Sequence, residues 1–205
     1  MIQISDESKC CGCMACVQVC PKQCISTNES KKGFLYPIVN KDICIGCNLC
    51  EKVCPFNSKA EERKPIHTFA AKHFSDSIRT ESSSGGAFTA LAEQVIAEDG
   101  IVFGAMYDNN WQIVHGAVDN VNDLKKLRGS KYVQSAIGDT YIHVKKELKN
   151  DRLVLFSGTA CQISGLKHYL RKDYDNLLTV DVICHGTPSP GVWRDYLNRL
   201  MIRPK

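Results

Sequence analysis

Beyond residue 66 the apolar positions fall into two alternating periods. Short aliphatic runs at 67–73, 101–107, 112–118, 153–157 and 177–183 have the length and residue types of strands. Between them, apolar residues return every three or four positions, the mark of a helix with one buried face. The clearest case is 87–98, where Phe88, Leu91, Ala92, Val95 and Ile96 share a face and Gly100 is placed to act as a C-cap. Further helices are expected at 120–127, 139–149, 161–170 and 190–201, and Asp108-Asn109-Asn110 reads as a hairpin turn. Strands alternating with helices in this order predict an α/β domain with a mixed, partly parallel sheet.

The first 58 residues follow neither period. Two short strands, 24–27 and 36–39, flank a polar turn at 28–33, with almost no aliphatic core between them. Residues 59–66 are charged and contain Pro65, which marks a boundary. The expected division is a small α+β module at 1–58, a linker at 59–66, and the α/β domain at 67–205.

Cysteine takes the place of the missing aliphatic residues, with ten of the twelve cysteines at or before Cys54. Eight of them form two copies of C-x2-C-x2-C-x3-C-P: Cys10, Cys13, Cys16, Cys20 and Pro21, then Cys44, Cys47, Cys50, Cys54 and Pro55. Gly12 and Gly46, and Val19 and Val53, also match between the copies. This spacing is that of bacterial-type ferredoxins with two [4Fe–4S] clusters. A cubane needs four thiolates around it, and one tight loop supplies three. The fourth cysteine of each run ligates the other cluster. One expected set is therefore Cys10, Cys13, Cys16 and Cys54, and the other is Cys44, Cys47, Cys50 and Cys20. Two readings compete. Structural zinc takes four ligands, usually as two pairs across a longer insert, and a disulfide framework needs an oxidising compartment. Cys11 sits between ligands, and Cys24 reads as a small buried packing residue.

Composition narrows the class without adding chemistry. Over 205 residues, 43% hydrophobic and 23% charged content is ordinary for a globular protein. The net charge of +4 is no argument for nucleic acid, because each oxidised cubane adds roughly two negative charges. Residues 1–9 have no apolar core of a secretion signal, and no run is long enough to span a bilayer. A cytoplasmic protein is expected, where thiols stay reduced.

In open α/β sheets, ligands bind where strands run into helices. Ser82 to Gly86, with Ser83, Ser84, Gly85 and Gly86, fits an anion cradle or a plain serine N-cap. Ser157-Gly158-Thr159-Ala160-Cys161-Gln162 follows a strand and fits a phosphate turn or a planar ring. Cys184-His185 ends the next strand. Adjacent residues seldom form a nucleophilic dyad, and His185 reads equally as structural or functional. Ser130-Lys131-Tyr132 fits a phosphate site or a solvated turn.

Four runs together carry a resemblance: 82–88, 127–133, 156–162 and 181–190. They resemble the coenzyme F-420 hydrogenase/dehydrogenase beta-subunit family, whose members often carry an N-terminal dicluster module like this one. The resemblance spans essentially the whole chain. It implies an iron–sulfur flavoprotein oxidoreductase with two [4Fe–4S] clusters and FAD. Single electrons would pass through the clusters to or from the flavin, and a hydride to or from a small organic partner. It places Ser83–Gly86, Ser130–Tyr132 and Ser157–Gln162 around the flavin, and leaves catalytic residues unassigned. A redox protein such as ferredoxin or a sister subunit is the implied partner. The chain departs from the family at Ala160, commonly proline, which is expected to loosen that turn. It also stops where relatives continue, so the α/β domain is expected to be incomplete at its C-terminal end. That favours an alternative: a flavin-free electron carrier with a partner-docking domain.

Overall fold

The computed structural model describes residues 1–58 and 64–202. The chain opens with two short helices and a hairpin: α1 (Ala15–Gln18), β1 (Ile25–Glu29), β2 (Leu35–Val39) and α2 (Leu49–Lys52). β1 and β2 pair antiparallel, Ile25 opposite Val39 and Glu29 opposite Leu35. The expected linker falls largely on 59–63, outside the described residues.

The larger part carries α3 (Asp76–Thr80), α4 (Ala87–Ala97), β3 (Ile101–Tyr107), β4 (Ile113–Val118), α5 (Thr140–Lys149), β5 (Val154–Thr159), α6 (Ala160–Leu170), β6 (Leu177–Val182) and α7 (Pro190–Ile202). Its four strands lie in the order β4-β3-β5-β6. β3 pairs antiparallel with β4 and parallel with β5, which pairs parallel with β6. The fold is the expected α+β module followed by a domain with a mixed, partly parallel sheet.

Strand alternation separates two cores, because successive side chains point to opposite faces. Val102 and Leu155 face Ala92 and Val95 of α4, with Leu124 and Leu127. Phe103, Val154 and Phe156 face Tyr141, Val144 and Leu148 of α5 and Ile163 and Leu166 of α6. This second core continues into the cysteine module through Cys13, Met14, Ala15 and Val53. A third, small core of Ile2, Cys16, Cys24, Ile25 and Cys50 lies inside the module.

Three local expectations are corrected. Residues 67–73 form no strand. β4 folds back on β3 and takes that sheet edge, while Ile66 and Phe69 remain exposed. A single bond, His73 N–H to the Gly85 carbonyl at 2.7 Å, ties the segment down. It leads into α3, whose five residues are too few to show a period. Leu91 faces solvent, and Thr89 is buried in its place. At the end of α4, Asp99 rather than Gly100 takes the left-handed conformation, with φ 56°. Gly100 N–H bonds the Val95 carbonyl at 2.9 Å. Glycine is required there because a Cβ would lie 2.5 Å from that oxygen.

Candidate functional site

The two cysteine runs trace the same backbone path. Gly12 and Gly46 have φ of 66° and 68°, and Met14 and Asn48 have φ of 59° and 57°. Met14 and Asn48 precede α1 and α2, so each run curls through two left-handed residues and enters a four-residue helix. Left-handed backbone is costly for a residue with a side chain. Its recurrence at matched positions shows a loop shape set by the repeat. Gly12 has a second constraint, since a Cβ would lie 2.6 Å from Nε2 of Gln134.

Each loop closes on a small cavity. One is lined by Cys10, Cys13, Cys16 and Cys54, with Ile2, Met14 and Pro37. The other is lined by Cys44, Cys47, Cys50 and Cys20, with Ile25, Val39 and Leu49. The fourth cysteine of each run thus lies at the other run's cavity, the crossed arrangement that the spacing predicts. Among the described residues, no three His, Cys, Asp or Glu side chains close around a single-ion position. Cys11 also lines the first cavity and Cys24 the second. The four expected ligands at each cavity, in an apolar wall, fit a [4Fe–4S] cluster.

The electrostatics support the grouping. Burial pushes the Cys16 thiol up to about 12, helped by the negative charges of Cys10 and Cys54. Burial also pushes Cys10 up, again with Cys54 as a neighbour. At the other cavity, burial raises Cys20. Hydrogen bonds from the Cys24 backbone and thiol, and from the backbone of Lys22 and Gln23, outweigh it and hold Cys20 below its ordinary value. Ile2 N–H donates to Cys50 Sγ at 3.2 Å. Such N–H···S bonds stabilise thiolate ligands and tune cluster potentials. Cys24 is buried, with its sulfur 3.3 Å from that of Cys20.

The two loops differ in their surroundings. Beside the Cys44 cavity Cys47 is exposed, and Ile43 and Ile45 are half exposed or more. The Cys10 loop packs against the α/β domain. α6 crosses Cys13 so closely that a Cβ on Gly165 would lie 2.8 Å from the Cys13 Cβ and 2.9 Å from the Tyr141 hydroxyl. Gln18 Oε1 accepts from the backbone N–H of Tyr141 at 2.9 Å, Gln134 Nε2 donates to the Cys11 carbonyl at 3.2 Å, and Ser58 Oγ lies 2.6 Å from His168 Nε2. The hairpin tip meets α7 through Gly191 N–H to the Gly33 carbonyl and Arg194 to Glu29.

The Ser157–Gln162 turn sits at this junction. Cys161 lies one helical turn before Gly165, so both share the face of α6 turned to the first cysteine loop. The nearby Cys11 thiol and burial push the Cys161 thiol well up. Cys13, then burial, raises Cys11 to about 12 against the opposing effect of Cys161.

The turn is not loosened by Ala160. Thr159 and Gln162 form a reciprocal capping box, with the Gln162 Oε1 accepting from Thr159 N–H at 3.0 Å. Gln162 Nε2 donates to Ser135 Oγ at 2.9 Å, Ser135 hydroxyl meets His115 Nδ1 at 2.9 Å, and His115 Nε2 meets the Ser157 carbonyl at 3.1 Å. A carbonyl only accepts, so Nε2 carries the proton and Nδ1 accepts from Ser135. Burial lowers the His115 pKa to about 4, against the raising effect of the Ser157 bond, so the ring is neutral. Sequence reading missed His115, Ser135 and Gln18. Single polar residues in apolar stretches carry no spacing signal.

Two other predicted loops meet each other. Ser130 N–H donates to Ser83 Oγ at 2.7 Å, which links the Ser83–Gly86 loop to Ser130–Tyr132. Gly86, with φ 80°, is the N-cap of α4. Arg128 pairs with Glu81 and donates to Thr89 Oγ1. Burial lowers Lys131 to about 8, and its ammonium donates to the carbonyls of Lys126 and Arg128. Tyr132 is exposed. Cys184 and His185 are exposed beyond β6, and Cys184 Sγ accepts from Gly186 N–H at 3.4 Å. They share a sheet end with Thr159, which pairs with Val182, but no hydrogen bond among the described residues ties them to the other loops.

Two cysteine-lined cavities on a repeated loop, with one loop seated on an α/β domain, define an iron–sulfur electron-transfer protein of oxidoreductase type. Comparison with known proteins agrees and narrows the class. A family model described as a 4Fe-4S dicluster domain matches residues 9–58. A second family model, for the C terminus of the coenzyme F420 hydrogenase/dehydrogenase beta subunit, matches residues 151–205. The chain is 29% identical over 168 residues to the coenzyme F420-dependent sulfite reductase of Methanocaldococcus jannaschii. That alignment covers 80% of this chain and 26% of the other protein, so the chain spans about a quarter of that relative's length. These findings support two [4Fe–4S] clusters, and a likeness to the coenzyme F420 hydrogenase/dehydrogenase beta subunit at residues 151–205. Among the described residues, no helix is long and apolar enough to cross a membrane.

Proposed function

We propose that the chain is an iron–sulfur flavoprotein module that exchanges single electrons with a redox protein and a hydride with a small organic partner. In this reading residues 1–58 are the cluster domain and 67–205 the flavin-binding domain. Cys10, Cys13, Cys16 and Cys54 hold the inner cluster. Cys44, Cys47, Cys50 and Cys20 hold the outer one, beside the exposed surface where a ferredoxin or sister subunit docks. The observation that carries the reading is the seating of α6, which the Ser157–Gln162 turn opens, on the inner cysteine loop, with Gly165 directly on Cys13. A redox group held by that turn stands directly beside the inner cluster.

Bound clusters supply one-electron chemistry and a bound flavin would supply hydride chemistry. The protein's own residues position and insulate. Gly86, Ser83 and Ser130 offer small, N–H-rich backbone for a phosphate, and Lys131 supplies a nearby cation. The His115–Ser135–Gln162 chain holds the ring-facing turn rigid. We assign a cytoplasmic location, where thiols remain reduced.

The deciding experiment is anaerobic purification with iron, sulfide and flavin assays, followed by titration with FAD. About eight irons and saturable FAD binding, weakened in Lys131→Gln, support the reading. Full iron with no FAD binding refutes it. A second reading follows from the relative's name: the same loops hold the deazaflavin coenzyme F420. Binding of F420 but not FAD in that titration selects it. Binding of neither selects a flavin-free electron carrier.

A further inference from the structure

We propose that the chain pairs with a second copy of itself through the outer face of α7, about a two-fold axis near Tyr196. The inference rests on neither the cluster assignment nor the flavin reading.

The inner face of α7 is engaged within the chain. Gly191 lies so close to the turn between β1 and β2 that a Cβ on it would come within 2.6 Å of the Gly33 Cα. Its N–H bonds the Gly33 carbonyl, and Arg194 is neutralised by both oxygens of Glu29. Trp193 Nε1 donates to the Trp111 carbonyl at 2.6 Å. The helix is therefore fixed before a partner arrives, which lowers the ordering cost of binding.

The outer face is apolar and uncovered. Val192, Tyr196 and Leu200, spaced i, i+4 and i+8, are 57%, 53% and 49% exposed. The row continues beyond the helix. Trp193 stacks on Tyr196 with ring centroids 5.7 Å apart, Tyr107 lies 6.4 Å from Trp193, and Trp111 lies 5.7 Å from Tyr107. Trp111 is 63% exposed and has φ 59°, left-handed backbone that is costly for a bulky residue. Both tryptophans of the chain stand in this row. A contiguous exposed apolar patch marks an interaction surface. Interfaces enrich Trp, Tyr and Arg and deplete Lys, and α7 carries two arginines and no lysine.

Charge selects the occupant. With Arg194 held by Glu29, the exposed charges of α7 are Asp195 and Arg199, one turn apart. Among the described residues, no salt bridge holds either one. The face has one charge of each sign, so it favours neither an acidic nor a basic partner. A second copy satisfies both charges. In a two-fold interface, where Asp195 meets Arg199 of the second copy, Arg199 also meets its Asp195. A ridge at i±4 spacing packs on its like at a crossing of about −50°, with closest contact at the middle, here Tyr196.

The test is sedimentation of anaerobic holoprotein, its iron content verified, across a range of concentrations. Wild type should pass from the mass of one chain to that of two. Asp195→Arg and Arg199→Asp each set like charges against each other twice, and each should weaken the dimer at least tenfold. Mixed in equal amounts, the two variants restore opposite charges at both contacts, and a mixed dimer should form as readily as wild type. Three results overturn the proposal: a wild type still monomeric at about 100 μM, a dimer equally stable in both variants, or no mixed dimer. Hydrogen exchange of wild type above and below the dissociation concentration needs no variant, so it decides even if the variants fail to fold. Protection confined to residues 190–202 and 107–112 supports the pairing, and protection elsewhere overturns it.

Discussion

Acidification should destabilise this protein through His115, and the size of the effect follows from its surroundings. The ring is buried between β4 and β5, stacked on Phe156 with centroids 5.3 Å apart, with one nitrogen on the Ser157 carbonyl and the other on the Ser135 hydroxyl. Protonation would place a charge in that core and turn Nδ1 into a second donor facing Ser135, which already accepts from Gln162. Burial lowers the folded pKa from 6.5 to about 4. A lowered pKa means that the unfolded chain binds the proton more tightly. The stabilisation is therefore fully present above about pH 6.5 and is lost as pH falls toward 4. Each tenfold difference in proton affinity is worth about 1.4 kcal/mol, so the complete effect is about 3 kcal/mol. Between about pH 7.5 and 5.5, where clusters survive better than in strong acid, the loss is about 1.3 kcal/mol. The assay is anaerobic denaturant unfolding of wild type and His115→Gln across that window. Glutamine keeps a donor for Ser157 and does not titrate, and contributions from the cysteines cancel in the comparison. Wild type should lose about 1.3 kcal/mol more than the variant. Equal pH slopes would refute the buried neutral histidine.

Three further outcomes follow. If ligation is crossed, Cys10→Ser with Cys54→Ser should cost one cluster, leaving about four irons, whereas Cys44→Ser with Cys54→Ser should cost both; equal iron loss in the two pairs would contradict the crossing. Gly165→Ala gains about 1 kcal/mol of helix propensity but overpacks Cys13 and Tyr141 by roughly 1–3 kcal/mol. Net destabilisation and an altered spectrum of the reduced inner cluster are expected, and a more stable variant would contradict the close crossing. Thr159→Val removes half of the capping box and should cost about 1 kcal/mol, read as a lower unfolding midpoint; an unchanged midpoint would show that the Gln162–Ser135 link alone holds the turn.

The sequence alone determined the features whose physics is local. Eight cysteines at fixed spacing define two clusters, because a cubane's geometry is carried by one short loop and a crossing fourth ligand. Period also located β3, β4, β5, β6 and the four longer helices within a few residues, because each buries one face. It failed where no period exists: α3 is five residues long, and residues 67–73 look like a strand but find no free sheet edge. Only the tertiary structure decided which cysteine loop packs against the α/β domain. Nothing near Cys44 or Cys10 in sequence tells that α6 crosses one of them. The crossing of α6 over Cys13 joins residues far apart in the chain and depends on Gly165 lacking a side chain. The neutrality of His115 depends on its burial by residues far away in the chain, among them Phe156 of β5. These are properties of packed neighbours, and a chain read in order cannot display them.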